Sequence, residues 1–120
     1  MTGMQNCLNI TNMNRCFENR ISLREILGEF DVTNCTTLGS IAARCYALQT
    51  IRFKAGTIHK SLDLSASPLL TDDTIQNLID GLADLTGGTA QTLTLHATVG
   101  AKLTDTQKTA ASAKNWTISY

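Results

Sequence analysis

The apolar positions of this chain repeat over a distance far longer than any helix or strand period. Displaced by 25 positions, the sequence lays Met13 on Leu38, Cys16 on Ile41, Phe17 on Ala42, Leu23 on Leu48 and Ile26 on Ile51. The connecting stretch recurs too, since Asn9-Ile10-Thr11-Asn12 matches Asp31-Val32-Thr33-Asn34. One amphipathic helix does not produce so long a period. A stack of similar coils does, because each coil points the same slots inward and buries them only against its neighbours. The pattern therefore predicts Leu23, Leu48, Leu64 and Leu95 in one continuous core.

The second half changes its rhythm. Ser61-Leu62-Asp63-Leu64 and Thr92-Leu93-Thr94-Leu95 alternate as half-buried strands do. Each is followed by a loop and a Leu-Thr-Asp sequence, at Leu70-Thr71-Asp72 and Leu103-Thr104-Asp105. Thr71 is placed to cap a helix, with Asp72 and Asp73 favourable in its first turn. Ile75, Leu78, Ile79, Leu82 and Leu85 trace one stripe of that helix, which Gly87-Gly88 is expected to end. Thr104 with Gln107 forms a capping box for a second helix whose inner face is small: Ala110, Ala111 and Ala113. Asn115 is expected to stop it, and Trp116-Thr117-Ile118 to form a last strand. The order is two irregular coils with short strands, then strand–helix–strand–helix–strand, with the strands side by side in a short parallel sheet. Gly56 and Pro68 mark turns within a single domain, 1–120.

Composition narrows the function classes. Ten basic residues against ten acidic ones give no field to hold a phosphate backbone, so a nucleic-acid partner is disfavoured. Hydrophobic residues at 42% argue against disorder, and no segment approaches the roughly 18 apolar residues of a membrane span, so no membrane insertion is expected. Met1-Thr2-Gly3-Met4-Gln5-Asn6 has neither the basic nor the apolar part of a signal peptide. Cys7, Cys16, Cys35 and Cys45 form no C-x-x-C pair, which predicts packed thiols and no metal site. His96 has no nucleophile that the sequence places beside it. Thr86-Gly87-Gly88-Thr89 lacks the lysine of a phosphate loop and stands where a helix ends. Asp72, Asp73, Asp80 and Asp84 fall on the expected helix, where an EF-hand loop does not form. Asn9, Asn34 and Asn115 open N-x-T sequons but read as turn asparagines. No catalytic residue and no cofactor is expected.

Asn9-Ile10-Thr11-Asn12-Met13, Cys16-Phe17, Leu23, Ile26 and Phe30-Asp31-Val32-Thr33-Asn34 resemble the BspA-like bacterial surface leucine-rich repeats. Those repeats run approximately N-V-T-N-M-x-x-M-F-x-x-C-x-x-L-x-x-L, followed by a Phe-Asp turn. The first copy has Arg20 at the cysteine slot; the second keeps Cys45 but has Ala42 at the phenylalanine slot. The later half, through Leu62-Asp63-Leu64-Ser65, Leu78-Ile79-Asp80-Gly81-Leu82, Thr92-Leu93-Thr94-Leu95-His96 and Lys114-Asn115-Trp116-Thr117-Ile118, is similar to a closing module found after such repeats in gut Bacteroidetes and their phages. The resemblance implies an α/β fold: a short leucine-rich-repeat solenoid with a parallel sheet on one face and helices or irregular coils on the other. It divides the chain into coils over 6–60 and a closing module over 61–120. It also implies a noncatalytic role in adhesion, protein interaction or structural assembly at a bacterial surface. A phage structural or receptor-binding component is the alternative, and an enzyme a distant third. Cell surface or virion is the location implied.

An open sheet face is the usual binding surface of a solenoid. That points to Arg24, Gln49, Arg52 and Lys54, with Glu25, Asp63, Thr94, Thr117 and Ser119 also outward. The ends are the second candidate: Leu8, Ile10, Met13 and Phe17 at one, Trp116 and Tyr120 at the other. An uncovered end leaves apolar slots and strand edges in water. The expected partners are a protein or surface glycan, or a second copy of the chain docked end to end.

Overall fold

A computed structural model describes residues 22–35, 38, 41–42 and 44–120. Cys7, Leu8, Ile10, Met13, Cys16 and Phe17 lie outside the described residues. The elements are β1 (Glu25–Phe30), β2 (Thr50–Phe53), β3 (Leu62–Leu64), α1 (Asp72–Gly81), β4 (Gln91–Leu95), α2 (Ala97–Gly100), α3 (Asp105–Ala113) and β5 (Trp116–Ser119). The chain is thus an α/β fold with parallel strands and three helices. No helix among the described residues is long and apolar enough to cross a membrane.

All strand pairs are parallel, in two sheets where the sequence suggested one. β1 pairs with β2 around an irregularity between Glu25 and Glu29. β4 lies between β3 and β5, and Leu62, Leu93 and Ile118 share one rung. Among the described residues the first sheet has two strands, and α1 occupies the free edge of β2. There Asn77 stands in for a strand: its Oδ1 accepts from Phe53 N at 2.8 Å, and its Nδ2 donates to Phe53 O at 3.2 Å. Further along, Gln49 O accepts from Thr71 N at 3.1 Å and from Thr74 Oγ1 at 2.8 Å.

The helix caps follow the sequence. Thr71 accepts from Thr74 N, and Thr104 with Gln107 completes the capping box. Asn115 takes the left-handed conformation (φ 67°) just past α3, and its Nδ2 donates to Leu85 O and Gly88 O. α1, however, stops at Gly81, well before Gly87-Gly88. Leu82 is drawn into a parallel bridge with Ile58, and Ala83 N donates to Ile58 O at 2.9 Å. Gly81 permits that approach, since a Cβ there would lie 3.0 Å from Ile58 Cδ1. Leu85 therefore leaves the helical stripe and is only half-buried, while Gly87 (φ 82°) turns the chain later.

One apolar core runs through both sheets. It includes Ile26, Phe30, Leu48, Ile51, Phe53, Leu64, Leu78 and Leu95, with Leu23 half-buried against it. Full burial of each such side chain contributes about 1.5–3 kcal/mol. Phe30 and Phe53, paired across β1 and β2, hold their rings 6.1 Å apart and tilted. Cys35 and Cys45 are buried thiols, and burial pushes Cys35 upward in pKa, with Asp31 adding to it. Long-range side-chain hydrogen bonds bridge positions 22 to 35 residues apart, from Ser67–Cys45 to Lys114–Ile79.

Candidate interaction surfaces

The residues nominated on the sheet face come together only in part. Gln49 N and Thr50 N both donate to Arg24 O, at 2.7 and 3.1 Å, so Arg24 and Gln49 are neighbours across β1 and β2. Arg24, Arg52 and Lys54 are exposed, while Gln49 is half-buried. Two of the basic side chains stand near acids. Arg52 stands opposite Glu29 in register, and Lys54 helps lower the pKa of Asp31. The larger causes of that lowering are the Thr33 hydroxyl and then the Thr33 N–H, both donating to Asp31 Oδ1. The strip is therefore polar and locally neutral, suited to short-range contacts rather than to attracting a strongly charged partner.

At the β5 end, Trp116 is not the surface residue that was expected. It is only 4% exposed, and its Nε1 donates to Ala83 O at 2.9 Å. Register explains this: Trp116 sits on the same strand face as Ile118, which shares a rung with core Leu93 and Leu62. Tyr120 is 54% exposed and lies against Gly100, where a Cβ would come within 2.0 Å of the ring. Lys108 Nζ stands 5.8 Å from the ring centre. A shallow groove of about 230 Å³ opens here, lined by Lys108, Ser112, Trp116, Ile118 and Tyr120.

Sequence reasoning missed two exposed apolar side chains, Tyr46 (53%) and Leu69 (52%). They lie on neighbouring segments: Ser67 Oγ donates to Cys45 O at 2.8 Å, and Thr71 N bonds Gln49 O. A signal was present in the tandem Leu69-Leu70. Consecutive residues of an extended segment face opposite ways, and Leu70 is the one buried.

The residues considered for chemistry hold structural posts. His96 caps α2, its Nδ1 accepting from Thr98 N at 3.1 Å. Asp84 is off the helix and accepts from both Thr86 N and Thr86 Oγ1, which lowers its pKa. Among the described residues, no three of His, Cys, Asp and Glu gather where a metal ion would be held. A cleft of about 280 Å³ between the starts of α1 and α3 is lined by Asp72, Ile75, Lys102, Thr104 and Gln107. Lys102 is already engaged there, with Leu70 O at 2.9 Å and Asp72 at 3.6 Å. No protein-family model, curated protein or solved structure matches this chain.

Proposed function

We propose that this chain is a short solenoid of leucine-rich-repeat type, akin to BspA-like surface repeats, that works as a noncatalytic module for adhesion, protein interaction or structural assembly. One observation carries the reading: the near-constant offset of the long-range hydrogen bonds, which lies between 22 and 35 residues. A chain that winds in coils of about that length meets itself only one turn away. The parallel pairing of β3, β4 and β5 has the same cause. In this reading α1 and α3 take over, in the later coils, the side that β1 and β2 occupy in the earlier ones. The lateral surface available to a partner joins the neutral strip of Arg52 and Lys54 to the corner of Tyr46 and Leu69.

Two experiments bear on this. Duplicating residues 71–103 in place adds one helix–strand coil, and a solenoid accepts it as a folded, longer protein. An unfolded or aggregated product counts against stacked coils. Binding of the purified chain to arrays of glycans and surface proteins tests the role. Retention that drops in Tyr46→Ser/Leu69→Ser supports a lateral binding module, whereas turnover of an arrayed ligand contradicts a noncatalytic one.

A further inference from the structure

Helices α1 and α3 begin alike, and aligning their caps, Thr71 with Thr104, aligns their faces. Ile75 then falls on Lys108, Leu78 on Ala111, Ile79 on Ser112 and Leu82 on Asn115. In α1 all four of these residues are buried. α3 supplies part of the cover: Thr104 and Gln107 line the same cleft as Ile75, and Lys114 Nζ donates to Ile79 O at 3.0 Å. In α3 only Ala111 is buried; Lys108 and Ser112, which stand where α1 has its two isoleucines, are exposed. The positions that α1 turns toward α3, Ile75 and Ile79, are apolar, and their equivalents on α3, Lys108 and Ser112, are polar.

From this we infer that the outer face of α3 is a closing face, on which a second copy of this chain is kept from docking. The β5 end, one of the two ends that the sequence offered for docking, is thus a closed one, and partners meet the module along its side. The flanking details agree. Lys108 leans toward Tyr120, which puts a charge beside the ring at the end of β5. Ala111 and Trp116 give the coil of α3 and β5 a buried side against its predecessor. Terminal repeats of solenoids need such an asymmetry, one face apolar and the other solvated.

The inference rests on the stacked-coil reading, and its test separates the two. Lys108→Ile/Ser112→Ile restores the α1 pattern at two exposed positions of the full chain. Light scattering over a wide dilution range is expected to show its mean mass at least about twofold above wild type, with Lys60→Ile/Ser65→Ile unchanged as a control for added apolar surface. A variant that melts like wild type and keeps its mass overturns the closing face while leaving the solenoid intact. Lysine cross-linking of the wild type adds an independent measurement. Links between copies through Lys108 overturn the closing face, and their absence beside links elsewhere supports it. Failure of the coil duplication, by contrast, removes the stacked coils themselves.

Discussion

The chain ends its two sheets in different ways. At β2 the free edge is sealed from within, because Asn77 supplies both the acceptor and the donor that a third strand would have offered to Phe53. At β5 no further strand is paired among the described residues, and Lys108 and Tyr120 stand beside it. The first arrangement sits over buried side chains, where an unmet backbone group is costly. The second sits at a surface, where water meets the same groups without penalty. A sheet edge is therefore dangerous only in proportion to what surrounds it, and one asparagine side chain on a helix can take the place of a strand's backbone at such an edge.

That contrast can be broken most forcefully at the sealed edge. Phe53→Ala, which removes a fully buried ring packed on Phe30, is expected to lower stability by about 3–5 kcal/mol in denaturant unfolding. Asn77→Ala strands the N–H and C=O of Phe53 and should cost about 1–3 kcal/mol. A change well below that range would mean that water replaces the amide, and the edge is not sealed. Thr104→Ala removes the capping box of α3 and is expected to cost about 1 kcal/mol. At the open end, Tyr120→Ala should move the melting midpoint least of the four, since over half of the side chain is already exposed.

The smallest effect concerns acid. In the folded chain Asp31 is held below the ordinary carboxylate range by Thr33, so its turn gains from the ionised form above the unfolded pKa. That gain disappears as pH falls through the lower folded value. Titration of Asp31 by NMR should show a midpoint below that of a free aspartate. Thr33→Val should bring the midpoint back toward the ordinary value and reduce the acid sensitivity of the turn.

Features set by neighbouring residues were legible in the sequence. The caps at Thr71 and Thr104, the alternation in β3 and β4, the last strand and the stop at Asn115 each depend on side chains within a few positions. The misses have long-range causes. α1 ends at Gly81 because Leu82 finds Ile58, 24 residues earlier, and nothing near Leu82 announces that partner. The covering of the β2 edge rests on Asn77, which reads in sequence as a plain polar position of a helix. Trp116 belongs to a last strand that reads as an uncovered end, and only the register with Gln91 and the bond to Ala83 show that its side chain turns inward. Of the candidate site, Arg24, Arg52, Lys54 and Tyr120 were found at the surface as expected. Tyr46 and Leu69 fall in the segments between the repeated slots, where the periodicity gives no direction for a side chain.

The buried indole has a consequence for how unfolding is watched. Trp116 is the single tryptophan of the chain, and its N–H is tied to a carbonyl 33 positions earlier. Its fluorescence therefore reports on the seam between the last two layers and on nothing else, whereas far-UV circular dichroism averages over every helix and strand. Where layers lean only on their neighbours, the two signals need not move together. An emission shift that precedes the loss of ellipticity marks fraying from the β5 end, and coincident curves mark a chain that melts as one cooperative unit.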